Sequence, residues 1–227
     1  RPYQRYNYIL YSNTNGNLNY EALIARYQHH LSPGLTVMAN YTFSKTITDG
    51  WEGGGSTQSQ IATCRSCDRG LVSYDVPHHF VVSTVYQLPF GHGRTFASNW
   101  NRLGDSLVGG WQVNAIATFA TGSAFSVTAP NRTGSNFTSV RADRSCDGGD
   151  SNLSGNIRSN GLKWFDTSCF TAPVAGYFGT SGRGVLFGPG TNNWDIGVQK
   201  NFRLAETSRF ELRGEFFNAF NHAQFRN

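Results

Sequence analysis

Residues 209–220 read RFELRGEFFNAF. Phe210, Leu212 and Phe216 fall on one side of a period-2 pattern, and Glu211, Arg213 and Glu215 fall on the other. Such alternation marks a strand with two unlike faces. What the oily face touches decides the fold: a protein core, or lipid. Both readings stand at this point.

The same pattern recurs upstream. In residues 193–205, Trp194, Ile196, Val198 and Phe202 alternate with Asp195, Gln199, Asn201 and Arg203. In residues 110–129, Trp111, Val113, Ala115, Ala117 and Phe119 alternate with Gln112, Asn114 and Thr118. Phe80, Val82, Thr84, Tyr86, Leu88 and Phe90 share a face in residues 78–90, as do Leu35, Val37, Ala39, Tyr41 and Phe43 in residues 35–47. Residues 19–31 suit a strand or an amphipathic helix. The SPG turn at residues 32–34 favours a strand in a hairpin. A further strand around Tyr6 to Tyr11 is expected. Residues 99–110 have room for a helical turn or two, and no segment reads as a long helix. The expected fold class is all-β, an antiparallel up-and-down meander of about 6–8 strands.

The connections sort by length. Residues 32–34 and 206–208 are short turns, and residues 91–110 are intermediate. Two connections are long: about 48–77, rich in Gly, Ser and Thr, and about 130–191. In a meander, alternate connections lie at the same end. One end then carries the modest turns and the other carries the two long, structureless loops. Outer-membrane barrels are laid out in this way, with short periplasmic turns and long extracellular loops. Long loops without structure count against a compact soluble domain. The aromatics Tyr41, Phe43, Tyr86, Phe90, Trp111, Trp194 and Phe202 sit near strand ends, where interfacial girdles place them.

Composition agrees with this layout. Charged residues make up 15% of the 227, against about 25% in typical domains. No apolar run approaches the ~18 residues of a membrane helix. That excludes a helical membrane protein but not a barrel, whose strands alternate. Mean hydropathy is −0.40, as expected when half of each strand is polar. The net charge is +5, but the arginines are scattered without a basic stripe, so no nucleic-acid partner is expected. The opening RPYQRYNYILYS lacks the basic start and apolar run of a signal peptide. It suits a cytosolic chain or an interior piece of something longer, and the cysteines argue for export.

Residues 75–94, 109–127, 163–204 and 209–225, with residues 19–47 upstream, resemble the C-terminal barrel of TonB-dependent outer-membrane receptors, in particular the Oar-like group. The blocks are long and in order. The resemblance implies one barrel segment over residues 1–227, with no plug domain in this stretch. It further implies nutrient uptake or surface interaction at the bacterial outer membrane. Implied partners are the plug and other strands of the receptor, lipid or lipopolysaccharide, and, through regions outside this sequence, a TonB-type energising complex. Siderophore, glycan and peptide are all open as cargo. Such receptors have about 22 strands, and about 8 are needed to close even a small barrel. The segment is therefore expected to be part of a larger barrel. Alternatively, a piece of meander has two free edges that pair with copies of itself into an extracellular fibre.

Cys64, Cys67, Cys146 and Cys169 fall in the two long loops. An even count in an exported protein suggests disulfides. Cys64 with Cys67 closes a small CRSC ring, and Cys146 with Cys169 closes a ring within the second loop, although cross-pairing stays open. The rival reading is a four-cysteine zinc site, disfavoured because only one CxxC is present. No resident metal or cofactor is expected. Asp143, Asp147 and Asp150 lack the terminal Glu of a calcium loop. His29–His30 and His78–His79 each point to opposite faces of a strand. The Gly-rich residues 176–190 have no following helix to hold phosphate and read as a packed loop. No residues stand in a catalytic motif, and an enzyme is not expected. The expected polar or lumen face is Glu211, Arg213, Glu215, Asp195, Gln199, Asn201 and Arg203. The expected lipid or packing face is Trp111, Val113, Phe119, Trp194, Ile196, Val198, Phe202, Phe210, Leu212 and Phe216.

Overall fold

The computed structural model describes residues 15–32, 34–50, 59–61, 63–146, 161, 163–203 and 208–225. The expected strand at Tyr6 to Tyr11 lies outside them. Six long strands run β1 (Leu18–Ser32), β2 (Leu35–Thr48), β3 (His78–Gln87), β4 (Trp111–Ala120), β5 (Thr191–Arg203) and β6 (Arg209–Phe216). Each pairs antiparallel with its neighbours in chain order, so the sheet is an up-and-down meander. Among the described residues, β1 and β6 pair on one side only, and the sheet is an open arc rather than a closed barrel.

Residues directly opposite in an antiparallel ladder point to the same face. Following the register across the sheet therefore defines two surfaces. Val198 stands opposite Val113 and Gly214, Ile196 opposite Ala115 and Phe216, and Phe202 opposite Phe210. Phe119 stands opposite Phe80, which stands opposite Tyr41. One face is thus apolar from β1 to β6. The other carries Asn40, Thr42, Asn114, Thr118, Asp195, Gln199, Glu211, Arg213 and Glu215, interrupted by Ile24, Met38, Val81, Val85 and Ile116. Local polar pairs line it, including Asn193 with Asp195 and Arg213 with Glu211.

Three strand ends differ from the sequence reading. β3 stops at Gln87 rather than Phe90. Pro89 has no N–H to continue a ladder, and its carbonyl accepts from Phe96 instead. Seven residues of the next connection form a helix, α1 (Arg102–Val108), capped by the Asn101 side chain. β4 stops at Ala120 rather than Ala129. Gly122 comes so close to the Gly188 carbonyl that no side chain fits there, and the chain leaves the sheet at that point. β5 (Thr191–Arg203) begins two residues earlier than expected, and residues 204–205 at its other end lie outside the described residues.

The long connections are not structureless, and the second begins at residue 121 rather than 130. Their residues form short antiparallel ladders of 124–125 with 186–187, 128–130 with 139–141, and 143–144 with 170–171. Gly70–Leu71 adds to the end of β2. Val72, Ala124, Ala129, Val140, Ala142, Cys169 and Leu186 are buried, whereas Ala117 is the one buried apolar residue that the long strands supply among the described residues. The core of this chain sits in its loops.

Candidate functional site

The two long connections fold over the polar face of the sheet at one end and form a cap. Asp75 accepts from the Thr46 N–H at 2.6 Å, and the Val72 N–H donates to the Thr46 carbonyl at 3.2 Å, so the first connection returns along the end of β2. The second is tied to it through Ala124, whose N–H donates to the Asp75 carbonyl at 3.1 Å.

A buried ion pair joins the two connections. Arg141 Nη1 lies 2.6 Å from Asp68 Oδ1, with the side chains 11% and 2% exposed. Isolated buried charges are costly, so such a pair persists only when its hydrogen bonds are filled. Here they are. Arg141 also donates to the carbonyls of Ser181 and Cys67, both at 2.9 Å. Asp68 Oδ2 accepts from Ser59, and the Arg141 N–H reaches Gln60 Oε1. Arg183, also buried, donates to the Gly50 carbonyl at 2.8 Å. Backbones touch at the same seam. A Cβ on Gly184 would meet Leu71 at 2.7 Å, and its φ of 62° already favours glycine. None of Asp68, Arg141, Arg183 or Gln60 stood out in the sequence. Asp68 and Arg141 are 73 residues apart, and each sits in a Gly/Ser-rich run without periodicity.

The cysteines pair within each connection. Cys64 bonds to Cys67, with Cα atoms 5.4 Å apart, and Cys146 bonds to Cys169, with Cα atoms 5.1 Å apart. Asp143 accepts from the Thr180 N–H, while Asp147 and Asp150 lie outside the described residues. Among the described residues, no group of three His, Cys, Asp or Glu side chains gathers to hold a metal.

Beneath the cap, against the polar face, lies an open cavity of about 1090 Å³. β1 contributes Tyr20, β2 contributes Thr42, Ser44 and Thr46, β3 contributes His79, and β4 contributes Thr118. The cap contributes Tyr74, Asp75, Thr121 and Ser123. Among the described residues, Asp75 is the one carboxylate on this wall, and no lysine or arginine lines it. Leu18, Val76, Ala120, Pro189 and Phe225 add apolar surface to these hydroxyl groups, so the wall suits an uncharged solute with polar and apolar parts more than an ion. The histidine pair splits as a strand requires. His79 faces the cavity, and His78 on the opposite face shares a 2.7 Å hydrogen bond with the Tyr41 hydroxyl.

Among the described residues, the apolar face carries no such cover. Leu23, Tyr27, Phe43, Phe80, Phe210, Leu212 and Phe216 are exposed, and an apolar surface this continuous needs something to bury it. Its aromatics form two belts. At the capped end, Tyr41, Phe43, His78, Phe80, Phe119, Trp194 and Phe220 make successive ring contacts with centroids 5.2–6.5 Å apart. At the other end, Lys200 Nζ lies over the rings of Trp111 and Phe202, and Phe202 meets Phe210 at 5.9 Å. Val113, Ala115, Ile196 and Val198 fill the band between. Trp111 and Phe119 stand ~27 Å apart along the strand, enough for a tilted strand to cross most of an apolar layer ~25 Å tall. Glu21 and Lys45 pair across β1 and β2 just beyond the upper belt, where the face turns polar.

Two aromatic belts around an aliphatic band, with polar residues behind, are the plan of a membrane barrel wall. The whole chain, residues 1–227, matches the family described as Outer membrane beta barrel domain. The chain belongs to this family. No curated protein and no solved structure matches it. In the general plan of such walls the long loops lie on the extracellular side, the apolar face meets lipid and the polar face meets the lumen.

Proposed function

We propose that this outer-membrane barrel segment is the C-terminal part of a TonB-dependent receptor of the Oar-like kind, working in uptake of a bulky uncharged solute. One observation carries the proposal. Both extracellular loops fold inward, and between them and the lumen wall lies the open cavity of about 1090 Å³, lined by hydroxyl groups and apolar side chains without a lysine or arginine among the described residues. A plain pore has no need of a rigid, ion-paired cap over its mouth. A receptor that must hold its ligand before import does. The plug and the remaining strands would come from the rest of the receptor, and the energising complex would act through them. The role is binding and passage, without bond-making chemistry.

The test uses the full-length receptor in cells. Thr118→Trp fills the cavity from the wall, and Tyr74→Ala removes its aromatic side. Both are expected to reduce growth on the limiting nutrient while leaving surface expression unchanged. Uptake at the wild-type rate in both variants would remove this reading.

The one-sided pairing of β1 and β6 favours a second reading, a fibre built by strand addition between copies. Intact mass and electron microscopy of the native sample separate the two. A mass several times 25.0 kDa in detergent-bound particles fits the receptor, and ordered polymers of the 25.0 kDa chain in detergent-free buffer fit the fibre.

A further inference from the structure

We infer that the Cys64–Cys67 disulfide is a redox-sensitive latch on the Arg141 seam between the two extracellular loops. This goes beyond the uptake reading and stands on the cap geometry alone. The ring closes around the short helical turn Arg65–Asp68. That turn presents to the second loop both groups that Arg141 grips, the Asp68 carboxylate and the Cys67 carbonyl. The disulfide therefore shapes the socket for the ion pair. A turn of four residues has little of its own to keep it folded. With the ring open, the two Arg141 contacts need no longer be held at the spacing the guanidinium requires.

The two disulfides differ in access. Cys67 is exposed and Cys64 half-buried, so a thiol from solution can reach this bond. Cys169 is 4% exposed and shields the other bond within the second loop. Reduction follows thiol–disulfide exchange. A dithiol in its thiolate form attacks the exposed Cys67 sulfur, forming a mixed disulfide and releasing Cys64 as a thiolate that takes up a proton. The second sulfur of the dithiol then displaces Cys67. Two cysteine thiols and one oxidised dithiol result, with two electrons passed to the protein. The Arg141 seam then opens, while the Ala124–Asp75 and Arg183–Gly50 ties and each loop's own ladders remain.

The experiment is a dithiol titration of the full-length protein in detergent, with alkylation to score each cysteine and hydrogen exchange to score the cap. The reporter is the segment around Arg141, whose N–H donates to Gln60 Oε1 across the seam. The control is the segment around Ser145, whose N–H donates to the Cys169 carbonyl within the second loop. Cys64 and Cys67 are expected to be alkylated at lower dithiol than Cys146 and Cys169. Exchange at the reporter should then rise about tenfold, with the control and the strands unchanged. Reoxidation should restore protection, which separates unlatching from misfolding. The double variant C64S/C67S should exchange like the reduced protein without dithiol. If it fails to fold, the wild-type titration still decides. Opening of Cys146–Cys169 first, or full alkylation of Cys64 and Cys67 with the reporter still protected, would overturn the latch.

Discussion

The sheet and the cap are built on opposite principles. The sheet spends its side chains outward: its long strands bury one apolar residue, Ala117, among those described, and its apolar face stays open across all six strands. The cap keeps its side chains inward, around Val72, Val140, Leu186 and the Asp68–Arg141 pair. In a barrel wall lipid is the missing layer, whereas a cap in water must make its own interior. A wall segment can therefore read as alternating and simple while the loops above it hold the chain's only dense packing among the described residues.

The comparison breaks first at the ion pair. Arg141→Met leaves Asp68 buried without its cation, a change that typically costs about 3–5 kcal/mol. The loss is expected in the cap alone. Hydrogen exchange should show the loops opening while the strands keep their protection. Equal loss in β4 and β5 would mean that cap and sheet fold as one unit.

The lipid face is tested next. Val198 lies midway between the two belts, and Gln199 is its neighbour on the lumen face. Val198→Arg puts a charge at mid-membrane depth, at about 2–4 kcal/mol. Gln199→Arg should cost much less, because its side chain meets water. Folding titrations into lipid vesicles measure both. A reversed order would turn the sheet inside out.

The smallest effect is expected at Asp49, where the sheet meets the cap. Its carboxylate accepts from the Asn17 N–H at 2.7 Å and pairs with Arg65 at 2.8 Å. The Asn17 hydrogen bond, followed by Arg65, holds its pKa below the ordinary 3.8. A lowered folded-state value stabilises the folded form above that ordinary value, and the contribution fades as pH falls through the folded value. Protection at Asn17, taken relative to the intrinsic exchange rate at each pH, should therefore be flat from neutral pH down to about 4 and fall only in stronger acid. A fall centred near pH 6 would assign the effect to a histidine instead.

Much of the sheet was legible in the residues. Period-2 alternation is a local signal, and it gave β2, β5 and β6 to within a few residues. Where alternation misled, the cause was also local. Residues 123–129 continue the pattern of β4, yet Ala124 and Phe125 pair with Leu186 and Phe187 inside the cap. A short strand in a loop body alternates just as a membrane strand does, and the break at Gly122 depends on a carbonyl 66 residues away, at Gly188. The candidate site was less legible still. Tyr20, Tyr74, Asp75 and Thr118 share a cavity without sharing a motif.

The sequence by itself determined that this chain is a meander with one oily and one polar face, because side-chain direction along a strand follows residue parity and needs no distant partner. It also determined the two long connections and the four cysteines within them. Only the tertiary structure decided that both connections fold over the polar face, that Arg141 closes on Asp68, and that the disulfides stay within each loop. Those outcomes rest on contacts between residues far apart in the chain, where burial and charge pairing select the partners and no local period records the choice.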